Sequence, residues 1–61
     1  MCESNVYLKK KDDEELVMEA VDIIRPHDGE LTLISIFGEE RTIKGRITEM
    51  RLLEHKIFLE E

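Results

Sequence analysis

The sequence has few of the residues on which small proteins rely for stability. Its 61 residues include one cysteine, one proline, three glycines, no tryptophan and only 5% aromatic residues. The single cysteine, Cys2, excludes a disulfide within the chain, and the length predicts one domain over residues 1–61. Because a chain of about 60 residues buries only roughly 60% of its unfolded surface, we expect added stability from an oligomer, a metal or an unusually good core.

Basic residues are also scarce: nine Lys and Arg stand against fifteen Asp and Glu, a net charge of −6 at pH 7. Since affinity for nucleic acid comes largely from basic residues, neither nucleic acid nor an anionic membrane surface is an expected partner. The one basic run, Lys9-Lys10-Lys11, is followed at once by acidic residues, which is typical of a solvated turn. No apolar run approaches the roughly 20 residues of a membrane span. The lone thiol and the lack of an apolar leader predict a cytoplasmic location.

Apolar residues, 41% of the chain, recur in short segments separated by turns. Alternation predicts a half-buried strand over residues 4–9, and β-branched residues favour strands elsewhere. The further strand candidates cover residues 31–36, 41–44, 47–53 and 56–60, with turns at Pro26-His27-Asp28-Gly29, Phe37-Gly38-Glu39-Glu40, Gly45 and Glu54-His55. This spacing predicts a small all-β meander or barrel.

Residues 12–25 fit two patterns. A capping box at their start, helical spacing of the apolar residues and Pro26 as a stop describe a helix. Alternation within each half describes two strands, provided that the register slips near Glu19-Ala20 through a bulge or a bend. The pattern leaves both open, and the β-rich context favours two strands.

The arrangements that support catalysis are missing, and we do not expect an enzyme. Ser4 and Ser35 lack the context of a glycine elbow, and adjacent carboxylates such as Glu39-Glu40 would face opposite sides of a strand. His27 and His55 each lie in a predicted turn, where a histidine is most simply a polar surface residue. Stacking aromatics are also few, and two of them, Phe37 and Phe58, lie in apolar runs and are expected in the core.

Cys2 is the residue with the most distinctive chemistry. Removal of Met1, which processing enzymes favour before a residue as small as cysteine, leaves an α-amine on the same residue as the thiol. Amine and thiolate then close a five-membered chelate ring on a metal, which the deprotonated backbone amide of Glu3 could extend. A planar set of nitrogen and sulfur ligands suits Ni(II) or Cu(II). On its own this is a weak signal, and a small packed residue is the simpler interpretation of Cys2.

The whole chain resembles the CooT family, small nickel-binding accessory proteins associated with carbon monoxide dehydrogenase maturation. The residues that carry the resemblance share order and spacing: Met1-Cys2, Val6-Tyr7-Leu8, Leu16-Val17-Met18-Glu19, Gly29, residues 31–36, Phe37-Gly38-Glu39-Glu40 and residues 53–61. The resemblance implies an all-β fold, a small SH3-like barrel or meander of about six to seven short antiparallel strands. It makes residues 12–25 strands, and it implies a homodimer that binds Ni(II) through Cys2.

The function expected from residues and resemblance together is that of a nickel-binding, metallochaperone-like accessory protein. Ni(II) would be bound by the processed Cys2, with the Glu3 amide as a further ligand, at a dimer interface. A nickel-dependent enzyme such as carbon monoxide dehydrogenase is the expected recipient, and His27 and His55 are reserve ligands. Two alternatives remain open: a small nucleic-acid-binding module of the RNA-binding kind, and an interaction module without a ligand.

Overall fold

Six strands form a single mixed sheet in the computed structural model, which describes residues 3–61. The strands are β1 (Ser4–Lys9), β2 (Glu14–His27), β3 (Glu30–Ser35), β4 (Glu40–Lys44), β5 (Arg46–Arg51) and β6 (Lys56–Glu60), with a 3₁₀ turn, Leu52–Glu54, before β6. Their order across the sheet is β4-β3-β2-β1-β6-β5. The prediction of a small all-β fold is confirmed. The sheet is not a closed barrel, and one of its ladders, between β1 and β6, is parallel rather than antiparallel.

Residues 12–25, which fitted two patterns, belong to strand β2 from Glu14 onwards, and the helix is excluded. β2 is one continuous strand of 14 residues rather than two. Its first half pairs with β1 and its second half with β3. Ala20 takes a φ of 54°, and the ladder with β1 shifts register between Met18 and Val21. The ladder with β3 shifts register just after, between Val21 and Ile23. The predicted slip near Glu19-Ala20 is therefore a bulge at which one strand changes partners.

The core lies where β1, β2, β3 and β6 present alternate residues to the inside of the bent sheet. Val6, Leu33 and Leu59 are fully buried, and they pack with Met18, Val21, Leu31 and Ile57. Phe58 is buried as predicted, but the prediction for Phe37 is wrong, since 76% of its surface is exposed. The physical reason is the tight turn after β3: the Gly38 amide donates to the Ser35 carbonyl at 3.0 Å, and Phe37 is carried out of the sheet.

Turns are present at the predicted places, but Pro26 and His27 belong to the end of β2, so that only Asp28 and Gly29 form the turn before β3. Glycine is required at two of the turns. Asp28 and Gly29 both have positive φ, 48° and 79°, which is the hairpin geometry that matches the twist of β2 and β3. Gly45 alone separates β4 from β5, the two edges of the sheet, and its amide donates to the Gly29 carbonyl at 3.0 Å. This junction bends the sheet over the core. Within residues 3–61, no helix is long and apolar enough to cross a membrane.

Candidate functional site

The start of β1 is held on both sides by hydrogen bonds. On one side the Asn5 amide donates to the His55 carbonyl at 2.8 Å, and on the other side the Asn5 Oδ1 accepts from the Ala20 amide at 3.2 Å. The start of β1 is therefore fixed beside the β5–β6 turn. Cys2, the predicted nickel ligand, lies outside the described residues. Glu3, whose backbone amide was predicted to extend the chelate, is exposed.

Three large apolar side chains are exposed at this end of the molecule. Met50 is 56% exposed, Leu52 65% and Leu53 96%, all just before the residue that holds the start of β1. We call Met50, Leu52 and Leu53 the leucine turn. Arg51 and Glu54 pair with each other at 2.8 Å within it, so its charges are balanced. An apolar surface of this kind is typical of a site that contacts another protein.

The two histidines lie at different places in the fold, His27 at the end of strand β2 and His55 in the turn between β5 and β6. His27 lies at the β2–β3 hairpin, where its Nε2 is 3.2 Å from a carboxylate oxygen of Asp28. His55 lies in the left-handed conformation beside the start of β1. His55 lies beside Asn5 because β1 and β6 pair in parallel, although the two residues are far apart in the sequence. Among residues 3–61, no group of three or more histidine, cysteine or acidic side chains comes together as a metal site.

An aromatic pair that the sequence did not predict lies on the outer side of β1 and β6. The rings of Tyr7 and Phe58 stack with centroids 5.7 Å apart. Lys9 lies over the Phe58 ring at 5.4 Å, and Lys56 lies over the Tyr7 ring at 5.9 Å. Each lysine covers an aromatic face, and Lys9 also approaches Glu49 at 3.9 Å. These contacts account for the two lysines structurally; the prediction that nucleic acid does not bind stays a prediction.

The electrostatics of the described residues do not mark an acid–base centre. Lys10 and Glu15 form an ion pair of 2.9 Å at the β1–β2 turn. Their hydrogen bond raises the pKa of Lys10 and lowers the pKa of Glu15, so both groups stay charged at neutral pH. Both side chains are solvent-exposed, and a catalytic base would need the opposite shift.

Comparisons with known proteins cover nearly the whole chain. Residues 1–60 match the family model of the CO dehydrogenase accessory protein CooT. An uncharacterised protein of Methanocaldococcus jannaschii is 37% identical over 60 residues, which is 98% of each chain. A crystal structure of a CooT candidate from Carboxydothermus hydrogenoformans superposes with a TM-score of 0.92 at 39% identity, covering 97% of this chain and 95% of that one.

Proposed function

Because the chain belongs to the CooT family of accessory proteins for CO dehydrogenase, we propose that it is a nickel-binding accessory protein. It captures Ni(II) in the cytoplasm and hands the ion to a nickel-dependent enzyme such as carbon monoxide dehydrogenase. It does no catalysis of its own, and the metal is its cargo. The observation that carries the proposal is the match of the family model to residues 1–60, which include Cys2.

The proposed ligands come from the first residues of the processed chain. The α-amine and thiolate of Cys2 form one chelate, and the Glu3 amide supplies a further nitrogen. In peptides an α-amine has a pKa of about 8 and a cysteine thiol one of about 8.5, so a metal displaces protons that both groups release readily. Nitrogen and thiolate donors fit Ni(II). Residues 3–61 bring no group of three metal-binding side chains together, so no such cluster among them competes with Cys2 and Glu3 for Ni(II).

A second copy of the chain completes the proposed site. One cysteine per chain leaves a four-coordinate ion short of ligands, whereas two chains supply two thiolates and up to four nitrogens. The start of β1 lies next to the leucine turn, whose exposed apolar side chains support a dimer contact at this end. A symmetric contact there brings the two chain starts towards one another.

The test is a calorimetric titration of Ni(II) into three samples of the full chain. These are the processed protein with a free Cys2 amine, a form with an N-terminal extension, and Cys2→Ser. We expect tight binding only in the first, a large loss in the extended form, and no site in Cys2→Ser. Native mass spectrometry of the processed sample should show Met1 removed and one nickel bound per dimer.

His27→Gln and His55→Gln serve as matched controls, since each histidine has an exposed side chain and is the simplest other ligand. Both variants should keep the affinity of the processed protein. Equal nickel affinity in all three original samples would contradict the proposal, and a loss confined to one histidine variant would move the site to that residue.

A further inference from the structure

A groove runs between the first half of β2 and the turn that joins β3 to β4. Its volume is about 450 Å³, and its walls include Leu16, Glu19, Phe37, Glu39, Glu40 and Arg41. β1 covers one side of this half of β2, but β3 pairs with β2 only from Val21 to His27. In the described part of the chain, the other side of residues 14–19 therefore has no neighbouring strand.

The backbone of β2 faces this groove. The Nη1 of Arg41 donates to the carbonyl oxygen of Val17 at 3.2 Å, so that carbonyl points away from β1. An exposed side chain thus occupies a position where a neighbouring strand would place a backbone amide. Unpaired strand edges bind extended chains through such backbone hydrogen bonds. Arg41 is the group that an incoming strand would displace.

Two large apolar side chains flank the open edge. Leu16 is 46% exposed on β2, and Phe37 is 76% exposed on the opposite wall. The hydroxyl of Ser35 accepts hydrogen bonds from the amides of Phe37 and Glu39, which fixes the turn that presents the ring. The ordered turn therefore keeps the Phe37 ring exposed to solvent. A segment bound in the groove would bury it.

The charges that line the groove favour a basic segment as its ligand. Glu19, Glu39 and Glu40 line the groove, and its one cation, Arg41, is engaged with the Val17 carbonyl. A second copy of the chain is disfavoured, because antiparallel pairing of two β2 edges centred on Val17 would place Glu15 opposite Glu19. Like charges directly opposite each other destabilise a strand pair. A basic segment would be attracted to these glutamates, whereas a second copy of the chain would be repelled.

We propose that this groove binds, by strand addition to β2, an extended segment of another protein in which basic and apolar side chains alternate. Backbone hydrogen bonds supply the affinity, Leu16 and Phe37 contact the apolar side chains, and the glutamates pair with the basic ones. This site lies apart from the proposed nickel ligands and does not depend on them.

The experiment uses the full chain, labelled for NMR, and a fluorescent hexapeptide in which lysine and valine alternate. We expect the amide signals of Val17, Glu19 and Phe37 to shift on titration, and fluorescence anisotropy to give the dissociation constant. A peptide of the same length in which glutamate replaces lysine is the charge control and should not bind.

Variants separate the contributions. Glu39→Gln with Glu40→Gln should weaken the lysine peptide about fivefold, whereas Glu60→Gln with Glu61→Gln, an adjacent acidic pair outside the groove, should change little. Phe37→Ala should weaken it about tenfold. Arg41→Gln should strengthen binding about threefold, because it frees the Val17 carbonyl and removes the cation.

Four results of the peptide titrations would overturn the proposal. They are no shift at millimolar lysine peptide, shifts confined to β5 or β6, equal binding of the glutamate peptide, and weaker binding by Arg41→Gln in a sample that keeps the wild-type spectrum. Concentration-dependent shifts of the same amides without peptide would also overturn it, since a second copy would then occupy the groove.

Discussion

Gly45 occupies a position that a side chain cannot enter without moving the last strand. Its φ is +149°, and a Cβ added there would lie 2.8 Å from the carbonyl oxygen of Glu60. That oxygen belongs to the backbone, so it cannot rotate away as a side chain would. The residue thus allows the β4–β5 junction to pass against the end of β6.

We expect Gly45→Ala to destabilise the protein by about 3 kcal/mol, from backbone strain and the clash with Glu60. Gly38→Ala is the matched control: its φ of +86° is also unfavourable for alanine, but no atom lies within 4 Å of the added Cβ. That variant should lose only about 1 kcal/mol. Urea unfolding of both checks the prediction, and similar losses would show that contact with Glu60 does not matter.

At the scale of elements, alternation and turn residues predicted most of the strands. They did not predict which strands pair with each other, because pairing depends on residues far apart in the sequence. The helix and the two-strand interpretations of residues 12–25 both followed the local pattern. Pairing with β1 on one side and β3 on the other makes most of this segment one bulged strand. Phe37 is exposed because its amide donates to the Ser35 hydroxyl in the turn after β3. Hydropathy alone cannot predict that turn. The neighbourhood of Asn5 and His55 comes from a ladder between chain ends. The prediction of Cys2 as a ligand came from its chemistry and from the family resemblance, and it stays a prediction.

The turn between β5 and β6 offers a test of local strain. His55 takes φ 58° and ψ 41°, a left-handed conformation that glycine adopts at no steric cost, and its side chain is exposed. His55→Gly should therefore stabilise the protein by about 0.5 kcal/mol. The same change at His27, which lies in a strand, should cost about 1 kcal/mol. Denaturation midpoints of the two variants compare them, and a loss at both positions would contradict the prediction.

The whole molecule is a thin, open sheet. Its extents are 30 × 26 × 14 Å, and its accessible surface is 4541 Å². A folded monomer of 7.2 kDa is expected to expose about 4100 Å². The sheet is not closed into a barrel, and several large apolar side chains are exposed to water. The expectation that copies of the chain associate stays a prediction.

We predict a homodimer through the leucine turn, and Leu53→Asp should raise its dissociation constant at least tenfold, as expected for a charge placed in an apolar contact. Phe37→Asp, which alters an exposed apolar residue outside that turn, should leave the dimer intact. Sedimentation equilibrium over a range of concentrations measures both. A monomer mass for the wild type at high micromolar concentration, or equal weakening by the two variants, would refute the predicted contact.

The parallel ladder between β1 and β6 also bears on how the protein is made. Ile57 and Leu59 complete the core, and they pair with Val6 and Leu8, which are synthesised about 50 residues earlier. A nascent chain that lacks β6 therefore exposes one edge of β1 and an unfilled core. Because non-local pairing must wait for the distant segment, folding is expected only after residues 56–60 have emerged, as one late event. Until then the open edge of β1 is a natural target for chaperones.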